Sequence, residues 1–298
     1  MSSGGSFQAL RTQEMRWNGL CATLALLLAI SLESADAAPL TLVPRERPHA
    51  VFGGWERELE VIFRNSGAAT VQANVRGRIY QASSATTAPV SEFDWKSIQV
   101  LPGQTIIEAA ALRFPVVQAE TRFLVRWVDG KNGLIGVTDV RVYPTNMLAQ
   151  LRSLGDGLPV GVFDPSDQFK PLLRKVGVPY QDLLEDGTDQ FEGKLAIFGP
   201  FPGAIRPRGS LGGDIRHLAK RGKAVVWLLP SIEAGPLRPS FEAVRFGEGN
   251  VVVAQQDLML NVAEDPEAQM KLLRLAEYAM YPARLDMAIF KPETNPAP

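Results

Sequence analysis

The chain has 298 residues, a size that predicts about two domains, each large enough to bury its own core. A hydrophobic fraction of 46% and a charged fraction of 21% exclude a disordered or repeat-built chain. The formal charge of −1, without a long run of lysine or arginine, leaves no electrostatic footprint for nucleic acid.

Arg11 and Arg16 precede an uncharged apolar run over residues 19–32, and Ala35 and Ala37 follow as small residues. This succession predicts a secretory signal peptide over 1–37, cleaved near Ala37. A spanning helix needs ~20 apolar residues, so a retained anchor is the weaker alternative and no stable membrane span is expected after cleavage. Loss of Arg11, Arg16, Glu14, Glu33 and Asp36 takes 31 basic and 32 acidic side chains to 29 of each. The sole cysteine, Cys21, leaves with them, so the exported chain has neither disulfide nor thiolate metal site and must be stabilised by packing. A periplasmic or extracellular location in a bacterial envelope is expected.

Residues 38–146 are predicted to form an all-β immunoglobulin-like sandwich. Leu59, Val61 and Phe63 alternate with Glu58, Glu60 and Ile62 before a turn at Asn65, Ser66 and Gly67, and Val71, Ala73 and Val75 alternate next. Ile98 and Val100 lead into Leu101, Pro102, Gly103 and Gln104, a turn whose Pro and Gly supply the fixed and the permissive backbone angles. Phe123, Val125 and Trp127 then alternate with Arg122, Leu124 and Arg126, and residues 129–133 close a hairpin whose return covers 135–143. The phrases EVIFRNSG and VLPGQT resemble strand-turn segments of bacterial immunoglobulin-like domains, which implies a spacer or binding role. Trp55, Trp95 and Trp127 could form an aromatic platform for sugar rings, but tryptophans on alternating strands ordinarily belong to a core.

After a linker at 147–157, residues 158–282 read as an α/β flavodoxin-like doubly wound parallel sheet, with 283–298 as a C-terminal tail. Strands are expected at 159–163, 178–183, 195–198, 224–229 and 250–254. Ser166 is the expected cap of an amphipathic segment reaching Val176. Further helices are expected over 214–221 and over 265–280, where Leu272, Leu273, Leu275 and Ala276 form an apolar face.

The phrases LPVGVFDPSDQFKPLLRKVGVPYQDL, RGKAVVWLLP and GEGNVVVAQQDLMLNVAEDPEAQMKLLRLAEYA resemble class I glutamine amidotransferase-like domains over about residues 155–282. In active members of that family a cysteine stands at the turn after the strand matching 224–229, with a histidine and an acidic residue further on. Here Pro230 and Ser231 occupy that turn and no histidine follows His217, so the resemblance implies a domain without amidotransferase chemistry.

Ser231 is a candidate nucleophile, although its context lacks the glycines of G-x-S-x-G and His217 reads as a solvent-facing helix residue. Asp164 and Asp257 are a second catalytic candidate, a carboxylate pair that works only at a suitable separation. For ligand binding, the loop 199–213 offers Arg206, Arg208, Gly209, Gly212 and Gly213 at the start of a helix, a place suited to an anion, though a solvated loop is the simpler reading. Two histidines in different parts of the chain predict no metal, and the absence of a P-loop pattern predicts no nucleotide or other cofactor.

The preferred reading is an exported noncatalytic binding or scaffold protein with a protein or glycan partner, with self-association left open. The alternative is an envelope hydrolase, esterase or glycosidase-like, using Ser231 or Asp164 with Asp257.

Overall fold

The computed structural model describes residues 39–199, 211–229, 241–255 and 262–284. The first half builds two facing sheets from β1 (Leu40–Leu42), β2 (His49–Phe52), β3 (Glu56–Asn65), β4 (Val71–Ala82), β5 (Thr87–Val100), β6 (Thr105–Arg113), β7 (Thr121–Val128) and β8 (Leu134–Tyr143). Their orders are β1-β3-β6 and β2-β8-β7-β4-β5. The alternation seen in the sequence is the cause: Leu59, Val61 and Phe63 of β3 meet Val75, Ile79, Val125, Trp127 and Val140 in one core between the sheets.

The second half is a six-stranded sheet of order β10-β9-β11-β12-β14-β13. Its strands are β9 (Val160–Phe163), β10 (Tyr180–Asp182), β11 (Leu195–Phe198), β12 (Ala224–Leu229), β13 (Phe241–Phe246) and β14 (Gly249–Gln255). The helices are α1 (Gln150–Leu154), α2 (Lys170–Lys175), α3 (Leu211–Lys220) and α4 (Pro266–Met280). In α3, Leu211, Ile215, Leu218 and Ala219 cover one face of the sheet, and in α4, Leu272, Leu275, Ala276 and Ala279 cover the other. Asp265 caps α4 by accepting the amide of Glu267 at 2.8 Å, and Pro266 stands where no amide partner is needed.

The molecule is a mixed α/β protein with three sheets, which corrects the expectation of an all-β immunoglobulin-like sandwich followed by a flavodoxin-like doubly wound parallel sheet. In the strand-rich half, β2 runs parallel to β8, with Phe52 beside Tyr143. Both residues leave the core between the two sheets and join Leu148, Leu151, Val160 and Leu272 of the α/β half. In the second half the sheet is not all parallel, because β13 pairs antiparallel with β14 from Phe241 opposite Ala254 to Phe246 opposite Gly249.

The crossover from β10 to β11 also carries no helix. Phe191, fully buried, plugs the sheet face that a helix would cover. Arg221 donates to the carbonyls of Thr188, Asp189 and Phe191 at 3.0 to 3.3 Å, giving the irregular loop the partners that a helix would supply internally. The hairpin joining β13 and β14 depends on Gly249, where a Cβ would stand 2.4 Å from the carbonyl oxygens of both Ala219 and Lys223.

Among the described residues no helix is long and apolar enough to cross a membrane.

Candidate functional site

The carboxyl edge of the six-stranded sheet is where ligands bind in open α/β architectures. Ser231, Asp257, Arg206, Arg208 and Gly209 lie outside the described residues. Asp164, Gly212 and Gly213 are described, and no atom of the described residues stands within 4 Å of where a Cβ would be on either glycine, in the first turn of α3.

Asp164 follows the last residue of β9 and is buried. Its Oδ2 accepts the amides of Phe169 at 2.6 Å and Lys170 at 3.2 Å, and its Oδ1 accepts the hydroxyl of Ser166 at 2.9 Å. Ser166, expected to cap the following helix, therefore serves Asp164. The helix begins only at Lys170, and Phe169 at its cap position offers no side-chain bond. The carboxylate five residues upstream takes the first amides of α2, which are the groups a helix start leaves without internal partners. Asp164→Ala is expected to lower stability by about 3 kcal/mol, because those buried amides lose their acceptor, while Asp164→Asn, which keeps one carbonyl oxygen, costs about half as much. Urea denaturation followed by circular dichroism measures both.

Beside Asp164, Lys170 bridges β10 and the β9 loop: its Nζ lies 2.7 Å from Asp182 Oδ2 and 3.3 Å from Asp167 Oδ1. The side chains of Lys170 and Asp182 are only 12% and 14% exposed, so this pair is better shielded from water than the other ion pairs among the described residues. The hydrogen bond to Asp182 holds the Lys170 ammonium above the ordinary lysine range. For Asp182, burial pushes the carboxyl upward, but Lys170 and the amide of Leu184 outweigh it and the net direction is down. A lowered carboxylate stabilises above its ordinary pKa and loses that contribution as pH falls through its folded value. A raised lysine stabilises below its ordinary pKa and loses that contribution as pH rises through its folded value. Asp182→Asn is thus expected to cost about 1–2 kcal/mol at neutral pH, with the difference from the parent closing below pH ~4. Paired chemical melts at several pH values check it, and a difference that persists in acid would count against the ion pair.

Outside this edge, His217 of α3 sits half-exposed 3.3 Å from Asp189 Oδ1, facing solvent as its sequence context suggests. The tryptophans form no exposed platform. Trp127 is fully buried, Trp95 packs at 5.0 Å from it, and Trp55 packs edge-on against Phe52. Among the described residues no group of three or more His, Cys, Asp or Glu side chains stands together to hold a metal ion.

Sequence reasoning missed a cleft of about 650 Å³ between the two halves, lined by Glu120 and Tyr143 on one side and by Gln150, Met270, Arg274 and Tyr281 on the other. Burial, aided by the charge of Glu120, pushes the Tyr143 hydroxyl up to about 12, so it remains a neutral donor at physiological pH. No local motif announces this cleft, because its walls come from three segments far apart in the chain.

No protein-family model and no curated protein matches the chain. Among solved structures, an alkylpurine DNA glycosylase of Pseudomonas fluorescens is 12% identical over 36% of this chain and 31% of its own, with a TM-score of 0.28. The sporulation control protein Spo0M of Bacillus subtilis is 14% identical over 40% of this chain and 56% of its own, also at 0.28. A β-glucosidase of Listeria innocua is 14% identical over 35% of this chain and 16% of its own, at 0.26. The chain spans less than two thirds of each of these proteins, and likenesses this low carry no argument about fold or function.

Proposed function

We propose that the chain is an exported noncatalytic binding or scaffold protein of the bacterial envelope, taking a protein or glycan partner. The observation that carries this reading is Asp164. The described member of the candidate catalytic pair is buried and spends both carboxylate oxygens on Ser166, Phe169 and Lys170, so it has a structural task in place of an acid-base one. Lys170 and Asp182, shielded charges at this edge among the described residues, pair with each other. The halves are tied across their seam, where Arg57 donates to the Glu264 carbonyl at 2.8 Å and to its carboxylate at 3.3 Å. A fixed seam holding an open cleft suits recognition, since a preorganised surface loses less entropy on binding.

The test is a screen of the purified protein against ester and glycoside substrates, with Ser231→Ala as control, alongside a glycan-binding array. Binding without turnover is expected. Turnover that disappears in Ser231→Ala would establish the hydrolase alternative.

A further inference from the structure

We infer that Asn132 is a self-modification site, at which the backbone nitrogen of Gly133 attacks the Asn132 carboxamide, expels ammonia and leaves aspartate or isoaspartate in the turn between β7 and β8. The inference goes beyond the binding reading and does not depend on it.

An asparagine followed by glycine meets the least steric resistance to this reaction, because glycine presents its nitrogen with no side chain beside it. Asn132 and Gly133 are both exposed, in the turn 129–133 that joins the two strands. The other such pair in the sequence, Asn18 and Gly19, lies outside the described residues.

The groups around Asn132 supply what the step needs. Arg76 and Arg78 of β4 stand on the outward sheet face beside the end of β7, with Arg76 opposite Val128. One terminal guanidinium nitrogen of each reaches the Asn132 side chain, at 2.7 Å and 2.9 Å. A guanidinium only donates, so the atom that both contact is the carboxamide oxygen, and the orientation of the amide is fixed. Two cations on that oxygen draw electrons from Cγ and stabilise the oxyanion formed when a nucleophile adds there. On the nucleophile's side, the Gly133 N–H donates to Asp129 Oδ1 at 2.6 Å. This carboxylate is placed to take the proton as the nitrogen attacks, and the Lys131 amide, 2.9 Å from the same oxygen, helps to hold it there. Nucleophile, proton acceptor and oxyanion donors thus meet at one carboxamide, which is the set that acyl transfer requires.

The step balances within the turn and one water. A bond forms between Gly133 N and Asn132 Cγ, the Cγ–Nδ2 bond breaks, and Nδ2 leaves as ammonia with the proton that Asp129 took from Gly133. Water then opens the cyclic imide at either carbonyl: one opening gives aspartate, the other gives isoaspartate, in which the main chain runs through the former side chain. Aspartate leaves a carboxylate where the carboxamide stood, beside two guanidiniums that share Glu92 Oε1 at 3.4 Å and 3.1 Å. Charge-assisted bonds to Arg76 and Arg78 favour that product over the neutral amide.

The test is to incubate the folded protein in neutral buffer at physiological temperature and to follow Asn132 by peptide mapping with mass spectrometry. Conversion is expected to release ammonia, to create a site labelled by an isoaspartyl methyltransferase, and to run faster than in the same chain unfolded in urea. In Arg76→Gln/Arg78→Gln the rate is expected to fall ~10-fold, less than for a water-excluded oxyanion hole because the turn is open to solvent. Asp129→Ser, which keeps an oxygen for the turn amides but removes the carboxylate, is expected to slow the reaction as well. Circular dichroism checks that both variants fold, and the comparison of folded with unfolded parent stands without them. An Asn132 that outlasts its counterpart in the unfolded chain, or a rate indifferent to both substitutions, would overturn the inference.

Discussion

Trp127→Ala is expected to destabilise the protein by about 3–5 kcal/mol, the range for truncating a large, fully buried aromatic side chain. Trp127 has no exposed surface and lies at the centre of an aromatic cluster, with ring centroids 5.0 Å from Trp95, 6.1 Å from Phe93 and 6.3 Å from Phe63. Its indole N–H donates to the hydroxyl of Thr138 at 2.8 Å, so truncation both opens a cavity and strips a buried hydroxyl of its partner. The cluster cannot close over the gap easily. Phe93 already lies over Gly77, which stands opposite Trp127 in the sheet, and the ring occupies the place a Cβ would take, 2.1 Å from it. Trp127→Phe keeps a ring but loses the donor, and it is expected to cost about 1–2 kcal/mol. Urea melts of the two variants separate the terms; equal losses would mean that the hydrogen bond outweighs the cavity.

The sequence made the strands legible where one physical signal acted alone. Residues 195–198 and 224–229 read as apolar runs and are β11 and β12, while the apolar face of 265–280 is α4. Fold class was less legible because it depends on direction and sharing, which periodicity does not carry. Nothing in FEAVRF announces that it returns antiparallel as β13, and nothing in residues 184–194 reveals that Phe191 and Arg221 make them a covering layer. At the candidate site, Asp164 was visible as an acidic residue after a strand, but a catalytic and a helix-capping aspartate look alike until their partners are seen. The Lys170 and Asp182 pair was invisible for the same reason: twelve residues separate them, and only the parallel pairing of β9 with β10 brings them together.

Phe52→Ala is expected to lower stability by about 3–5 kcal/mol and to do so for both halves at once. Phe52 belongs by sequence to the strand-rich half, as the last residue of β2, yet it is 1% exposed within the cluster built by Leu148, Leu151, Val160 and Leu272. Trp55 packs on it at 5.0 Å and is itself flanked by Arg57 and by Lys175 of α2, so one short turn inserts two rings into the α/β half. Two bodies that share buried side chains cannot unfold independently without exposing the shared core, so the parent protein is expected to melt in one cooperative transition. Removing the phenyl ring weakens the seam itself, and the melting temperature should fall by several degrees for the whole molecule. Differential scanning calorimetry with near-ultraviolet circular dichroism follows both halves together. Two separate transitions in the parent, with Phe52→Ala moving only one of them, would show that the shared cluster does not couple the halves. By the same coupling, Arg57→Ala at the rim of the seam is a smaller perturbation, because Arg57 and Glu264 are partly solvated and an ion pair of that kind is worth at most about 1 kcal/mol.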